Sequence, residues 1–174
     1  MTKQEIANEL SKRHKIFTAH IQSLNEKDFM FSNNEKWTAG QQLDHIFRSV
    51  SPLVQAFMLP KFVPRLLFGK ANRPSKSYDE LVNKYKEKLS KGGVATGQFV
   101  PPAISYDKKE KLCKQVNSKV EKLCKQVNLF SEQQLDEYIL PHPLLGKLTV
   151  REMLYFTMHH VNQHLEIMRR NLEK

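Results

Sequence analysis

Apolar residues recur at the three- and four-residue spacing of an amphipathic helix over most of the chain. The first stripe predicts a helix that ends near residue 25, and its members are Ile6, Leu10, Phe17, Ile21 and Leu24. At the other end, residues 149–172 contain neither Pro nor Gly and predict one uninterrupted helix. The pattern therefore indicates a predominantly helical protein.

Three capping boxes mark helix starts. In each, a Ser or Thr precedes a Glu or Gln by three residues, so that the two side chains can satisfy the first backbone N–H groups. The pairs are Thr38 with Gln41, Ser77 with Glu80 and Thr149 with Glu152. We expect Pro52 to kink or break the helix that begins after Thr38, and the next helix to end at Gly92-Gly93.

An internal duplication lies in the following segment. Residues 110–117 recur letter for letter as residues 121–128. The 11-residue period equals three helical turns, so both copies present the same face. We expect one long helix here, with Cys113 and Cys124 about 16 Å apart along its axis and therefore not joined by a disulfide.

The segments between these helices are long. Residues 60–76 contain three prolines and five basic residues without an acidic one, and we expect an irregular excursion. Residues 94–106 should form a loop, and residues 131–146 a second connection with a short helical piece near Leu135 and a turn through Pro141-His142-Pro143. No strand is predicted. We expect residues 1–174 to form one all-α domain, an antiparallel four-helix bundle with short extra helices.

Charge and composition narrow the function classes only slightly. The chain has 28 Lys and Arg against 18 Asp and Glu, a net charge of +10. This excess fits a nucleic-acid or membrane partner as well as a basic, water-exposed surface. A membrane-spanning helix needs about 20 apolar residues, and no apolar run in the chain approaches that length. The first residues lack the apolar region of a signal peptide. With only two cysteines, these features predict a cytoplasmic protein without a disulfide scaffold.

The last helix carries the strongest candidate chemistry. His160 and His164 are four residues apart, so their rings project from one face, which the neighbouring apolar residues place towards the core. Neutral imidazoles at this spacing can share a metal ion. Two packed histidines with local hydrogen bonds explain the pattern equally well. A third ligand from another helix would favour the metal, and His45 is the best placed candidate. The other candidates are His14, His20 and His142.

Two motifs resemble those of the DinB-like superfamily of metalloenzymes. Residues 37–46, Trp-Thr-Ala-Gly-Gln-Gln-Leu-Asp-His-Ile, are similar to that family's W-[ST]-x-x-[QE]-x-L-x-H-[IL] segment. Residues 146–152, followed by the pair His160-x-x-x-His164, are similar to its closing helix. The resemblance implies a four-helix bundle in down-up-up-down order. It also implies a divalent metal bound by His45, His160 and His164.

Three imidazoles would leave a coordination position for water, as catalytic sites do. Imidazole ligands suit Zn, Ni and Fe alike, so the ion is not identified. The resemblance implies a hydrolase with a metal-bound water, or a transferase that activates a low-molecular-weight thiol, acting on a small-molecule substrate. Near the ligands, Gln41 and Asp44 are candidates to hydrogen-bond a ligand or the bound water, and His159 is a candidate neighbour. We expect Glu152 to serve its helix cap and Trp37 to serve local packing.

Two other function classes stay open. One is a non-catalytic helical bundle, and the other is a basic module that binds an acidic macromolecule. The charge alone supports the second, so nucleic acid is not the favoured partner. The oligomeric state is open between a monomer and a homodimer. Residues 60–76 could contact a membrane surface or nucleic acid, but covering the open end of the bundle is the favoured interpretation. A further hypothesis is that this segment helps to line a pocket beside the metal. A cationic rim there would favour anionic substrates.

Overall fold

The computed structural model describes residues 1–34 and 36–173, and within them it contains eight α-helices and one two-stranded antiparallel sheet. In chain order the elements are α1 (Lys3–Ser23), α2 (Glu26–Met30), α3 (Ala39–Met58), α4 (Phe62–Phe68), α5 (Tyr78–Ser90), α6 (Lys109–Asn128), α7 (Glu132–Glu137), β1 (Ile139–His142), β2 (Gly146–Thr149) and α8 (Val150–Leu172). The four longest helices, α1, α3, α6 and α8, form the bundle around one apolar core. The predicted all-α bundle with short extra helices is confirmed.

The helix directions follow from contacts between their ends. The starts of α1 and α8 meet, because Arg151 Nη1 donates to the Met1 carbonyl over 2.7 Å, and these two helices run parallel. The start of α1 meets the end of α6, where Lys3 Nζ donates to the Asn128 carbonyl over 3.1 Å, so α6 is antiparallel to α1. The histidine contacts described below make α3 antiparallel to α8. The bundle therefore has the down-up-up-down order that the family resemblance implied.

Capping boxes begin five of the helices, and the three that the sequence predicted are among them. Their N-cap residues are Thr2, Thr38, Ser77, Ser131 and Thr149. Of the kink or break expected at Pro52, the break is wrong, since α3 continues for six residues beyond it to Met58, and the kink stays a prediction. Proline removes one backbone donor, but Leu53, Val54 and Phe57 keep the following turns buried in the core.

The duplicated segment forms one continuous helix, α6, as predicted. Its buried stripe draws on both copies and comprises Leu112, Val116, Val120, Leu123 and Val127. Both cysteines face α1 as thiols: Cys113 Sγ lies 3.9 Å from the Thr18 carbonyl, and Cys124 Sγ donates to the Ala7 carbonyl over 3.3 Å. The duplication therefore serves the packing of the bundle.

Two connections are more regular than the sequence predicted. Residues 131–146 lead into a hairpin in which Leu140 pairs with Leu148, so the prediction of a chain without strands is wrong. Pro141 is tolerated because a two-stranded hairpin has outward positions whose N–H needs no partner. Residues 60–76 contain the helix α4, which leaves Phe62 and Leu66 exposed. Among the described helices, none combines the length and apolar character needed to cross a membrane.

Candidate metal centre

Three buried histidines from two helices meet at one point of the core. His45 comes from α3, and His160 and His164 come from α8. Nε2 of His160 lies 3.2 Å from Nε2 of His45 and 2.9 Å from Nε2 of His164. Within the described chain no Asp, Glu or Cys joins this group. The structure thus brings together the three residues that were predicted as ligands.

Hydrogen bonds on the opposite ring edges orient two of the imidazoles. His45 Nδ1 donates to the Phe99 carbonyl over 2.7 Å, and His164 Nδ1 donates to the Gln42 amide oxygen. Because a carbonyl oxygen can only accept, the proton of each neutral ring is assigned to Nδ1 and the lone pair to Nε2. Both lone pairs therefore point at His160.

Hydrogen bonds alone do not satisfy the cluster. Burial lowers the pKa of His45, and it lowers the pKa of His160 and His164 well below 6.5, so all three rings are neutral at pH 7. His160 Nε2 can donate at most one proton, yet it faces lone pairs on both sides. At least one of these short contacts therefore has no hydrogen bond to stabilise it.

The donor set and its spacing suit a divalent metal ion. Imidazole nitrogens bond to such ions at about 2.1 Å, which separates two ligands by about 3.0 Å at a right angle and about 3.4 Å at the tetrahedral angle. The observed separations of 2.9 and 3.2 Å lie close to this range. An all-imidazole set suits Zn, Ni and Fe, so the group could hold any of these ions.

The residues predicted near the ligands have other partners. The Gln41 side chain accepts from the Thr38 backbone N–H over 3.0 Å and completes the helix cap. Asp44 forms an ion pair with Arg48, one turn further along α3. His159 lies against the rings of Tyr78 and Tyr85, with centroid distances of 6.4 and 5.9 Å, and is outside the cluster.

Gln42 and Phe99 orient the cluster, and the sequence did not identify either of them. Gln42 is buried on the face of α3 that meets α8. Its three-residue spacing from His45 was a usable signal, since residues at that spacing share a helix face. Phe99 acts through its backbone carbonyl, which is independent of side-chain identity, so no sequence pattern could have found it.

Aromatic rings enclose the histidines. The Trp37 ring lies 4.9 Å from that of His45 and stacks nearly parallel to that of His164 at 6.3 Å. On the other side, the Phe156 ring stacks on His160 at 4.8 Å. Trp37, predicted to serve packing, therefore packs against the cluster itself.

The other candidate histidines do not belong to the group of three. His14 is buried in α1, where Nδ1 donates to the Leu10 carbonyl over 2.8 Å and burial lowers its pKa to about 4. His20 belongs to the same helix, and burial lowers its pKa as well. His142 lies at the end of β1, where its Nδ1 accepts from two backbone N–H groups. None of them joins the metal-ligand group of the described chain.

A cavity of about 660 Å³ opens onto the cluster. Its walls come from α3, α5, α8, the hairpin and the loop around Phe99. Phe68, at the end of α4, is also part of the wall, so residues 60–76 contribute to the cavity, as hypothesised from the sequence. The volume lies within the range of about 300–1,000 Å³ that is typical of small-molecule sites.

Glu152 anchors the same segment to the bundle. Its carboxylate completes the Thr149 capping box, as predicted, and also accepts from both Arg73 Nη atoms, over 2.6 and 2.8 Å. The Lys76 backbone N–H adds a third partner at 2.7 Å. Burial alone raises the pKa of Glu152, but these donors outweigh burial and hold the pKa below 4.5.

Comparison with known proteins agrees with this geometry. The sequence profile of the DinB superfamily matches residues 9–168. Neither the curated proteins nor the solved structures gave a match to the chain. The profile match extends over nearly the whole bundle, including the three histidines and the residues that orient them. This protein therefore belongs to the DinB superfamily.

Proposed function

We propose that the protein is a divalent-metal-dependent enzyme whose ion is held by His45, His160 and His164. The observation that carries the proposal is the convergence of three neutral imidazoles, in which the Nε2 atoms of His45 and His164 lie 3.2 and 2.9 Å from that of His160 and the protons do not suffice for a hydrogen bond at each contact. Membership of the DinB superfamily, which is associated with metal binding, supports it.

A divalent ion on three imidazoles supplies a Lewis acid that lowers the pKa of a coordinated water or thiol. The chain's own contributions are orientation and exclusion of water. The Phe99 carbonyl and the Gln42 amide oxygen keep the proton of two ligands on Nδ1, so that Nε2 stays available. Trp37 and Phe156 cover the cluster and reduce its access to solvent.

The proposed reaction is hydrolysis, or transfer to a low-molecular-weight thiol, of a small-molecule substrate in the adjoining cavity. Hydrolysis needs only the substrate and water there. The cavity of about 660 Å³ also has room for a second small reactant, which keeps the thiol-dependent transferase as the second candidate. No acidic side chain of the described chain lies beside the cluster to act as a base except Asp44, which is paired with Arg48.

Metal analysis of protein purified without a histidine tag tests the site. We expect about one divalent ion per chain in the wild type, and loss of most of it in His45→Ala and His164→Ala, because two imidazoles bind far more weakly than three. His159→Ala is the matched control and should retain the metal, since this ring points away from the cluster. Equal metal content in all four proteins would contradict the assignment.

Two assays of the metal-loaded protein separate the candidate reactions. One follows hydrolysis of neutral aryl esters, and the other follows conjugation of a thiol such as cysteine to an aryl electrophile. Activity lost in His164→Ala and retained in His159→Ala supports an enzyme, and the assay that responds identifies its class. Bound metal without either activity across a broad panel favours a non-catalytic bundle. Steeply salt-dependent binding to duplex DNA would instead favour the basic module.

A further inference from the structure

The cavity beside the histidines has an uncharged wall. No Asp, Glu, Lys or Arg is among the described residues that line it, although 26% of the chain is charged. Burying an unpaired charge costs several kcal/mol. In the protein without metal, a charged group of a ligand would therefore find no partner in this wall, and would be bound much more weakly than a neutral group of the same shape.

The nearby basic segment does not change this. Lys70 pairs with Glu137, and Arg73 pairs with Glu152. Lys61 Nζ donates to the side-chain oxygen of Gln134 over 3.2 Å and to a backbone carbonyl. These cations are directed to partners on α7 and α8, so residues 60–76 do not form the expected cationic rim along the cavity wall. Only Phe68 of this segment lines the cavity.

Among the polar groups of the lining, two neutral hydrogen-bond donors adjoin one aromatic ring, that of Phe156. The first is the hydroxyl of Tyr85, which is 6% exposed and has no hydrogen-bond partner in the described chain. Burial raises the pKa of Tyr85 to about 12, so the hydroxyl keeps its proton. The Tyr85 ring packs edge-on against Phe156 at 5.1 Å and lies 6.3 Å from that of His160.

The second donor is Nε2 of His142. Its Nδ1 accepts from the backbone N–H groups of Leu144 and Leu145, each over 3.1 Å, so the proton of the neutral ring must be on Nε2. Burial lowers the pKa of His142 to about 4 and keeps the ring neutral at pH 7. This ring also packs against Phe156, at 4.2 Å. Both donors therefore adjoin the same aromatic ring, which in turn stacks on His160.

We propose that the cavity binds an uncharged, predominantly apolar molecule whose carbonyl or ester oxygen accepts hydrogen bonds from Tyr85 and His142 beside the three histidines. The proposal rests on the proposed function only in placing the reacting end of the substrate beside the metal. The preference of the cavity for neutral over charged ligands does not depend on the metal, and it can be measured on the metal-free protein.

Three fluorescent probes of similar size test the proposal on chelator-treated protein. N-phenyl-1-naphthylamine is neutral and has no carbonyl. 8-Anilino-1-naphthalenesulfonate is its sulfonated analogue. 6-Propionyl-2-dimethylaminonaphthalene is neutral and has a ketone oxygen. We expect both neutral probes to bind. The sulfonate should compete with them only at a concentration at least about tenfold higher than that at which its neutral analogue binds. If the sulfonate competed at the same concentration as its neutral analogue, the proposal would be overturned.

One substitution at each position tests the two donors. Tyr85→Phe removes only the hydroxyl, and His142→Asn keeps an acceptor near the position of Nδ1 while it removes Nε2–H. Each should weaken binding of the ketone by about three- to tenfold and leave the neutral naphthylamine within about twofold. Tyr138→Phe, a buried tyrosine outside the cavity, is the matched control and should change neither. Equal effects on both neutral probes, or no effect on the ketone, would overturn the assigned role.

A cavity-filling variant confirms where the probes bind. Ala56 lines the cavity from α3, so Ala56→Phe places a ring inside it and should weaken both neutral probes about tenfold or more. A thermal unfolding curve checks that this variant is folded. Unchanged binding would overturn the proposal. Because these measurements need no metal, a wild type without bound metal would refute the proposed function while leaving this test intact.

Discussion

Gln41 and Gln42 are adjacent glutamines at the start of α3 with different partners. The Gln41 side chain accepts from the Thr38 backbone N–H and belongs to the capping box. The Gln42 side chain is buried and accepts from His164 Nδ1. A helix rotates by about 100° per residue, so the first faces the helix end while the second faces α8. Two neighbouring glutamines therefore have different roles: Gln41 stabilises the start of a helix, and Gln42 orients a histidine of the candidate metal site.

The same substitution at both positions separates these roles. We expect Gln42→Leu to lower metal affinity by about 10–100-fold, because the acceptor that fixes the His164 ring is lost. Gln41→Leu should lower the free energy of unfolding by about 0.5–1 kcal/mol through the weakened cap and leave metal affinity unchanged. Competition with a calibrated chelator gives the affinities, and urea denaturation gives the stabilities. Equal metal affinity in the two variants would show that Gln42 does not orient a ligand.

At the residue scale, the sequence predicted the ligands better than their supports. Spacing on α8 and the resemblance of residues 37–46 singled out His45, His160 and His164, which the structure brings together. Gln41 was a candidate because it lies one turn before His45, but the capping box competes for that side chain. The carbonyl of Phe99, 54 residues from His45, carries no side-chain signal at all. Contacts of this kind depend on tertiary packing.

At the element scale, Glu152 joins the start of α8 to the segment before α5. It is fully buried, with 0% of the side chain exposed, and it receives two donors from Arg73 besides the backbone N–H groups of Lys76 and Thr149. This carboxylate therefore caps one helix and at the same time holds the chain that leads into another.

Glu152→Gln should lower the free energy of unfolding by about 2–4 kcal/mol at pH 7, because a neutral amide leaves the Arg73 guanidinium without its charge partner. The folded-state pKa of Glu152 lies below its ordinary value of 4.5, so its contribution is present above that value and is lost as the pH falls through the lowered pKa. The difference between wild type and variant should therefore shrink in acid. Urea denaturation at pH 7 and at about pH 3 measures it.

Glu137→Gln is the matched control for that experiment. Glu137 forms an ion pair with Lys70, but both side chains are partly exposed, and solvent screens such pairs. We expect little change in stability at either pH. A Glu152→Gln effect that is as small as that of Glu137→Gln, or that persists unchanged in acid, would contradict the role of the buried carboxylate.

Helices with local start signals were predicted well, and elements that depend on distant partners were not. The capping boxes at Thr38, Ser77 and Thr149 placed three helix starts correctly, since both hydrogen bonds of a box form within four residues. The hairpin was missed because Pro141 and Pro143 indicate a turn, whereas pairing with residues 146–149 decides the structure. The helix does not break at Pro52 because burial of the following residues outweighs one lost backbone bond.

At the scale of the whole molecule, the histidines connect helices that are far apart in sequence. His45 and His160 are separated by 115 residues, and their contact ties α3 to α8 across the bundle. An ion that binds this group binds only the folded chain, because the unfolded chain does not hold the three rings together. Metal binding must therefore stabilise the entire fold by mass action.

Removing the metal should lower thermal stability. At a free metal concentration about 100 times the dissociation constant, the stabilisation is about 2.7 kcal/mol. For a domain of this size that corresponds to a fall of about 5–10 °C in Tm after chelation. Differential scanning fluorimetry with chelator, and then with added Zn²⁺, Ni²⁺ or Fe²⁺, measures the loss and its recovery. His164→Ala should be insensitive to the chelator, and an equal fall in that variant would place the stabilising ion elsewhere.

The structure shows where the net charge of +10 lies, which the composition alone does not. It lies outside the cavity, whose described lining is uncharged, and part of it is paired, as for Arg151 with Glu132 and Asp136. The exterior and the cavity thus have separate electrostatic characters. Attraction of an acidic macromolecule to the surface would not require the cavity, and binding in the cavity would not require the surface charge.

Phe99 contacts the histidine cluster and also lines the cavity, because its carbonyl orients His45 while the residue forms part of the cavity wall. A ligand that displaces this one turn of backbone also alters the ring that it holds. By thermodynamic reciprocity, the factor by which such a ligand changes the affinity for metal equals the factor by which metal changes the affinity for the ligand. We therefore expect residues 97–99 to couple occupancy of the cavity to occupancy of the histidine cluster.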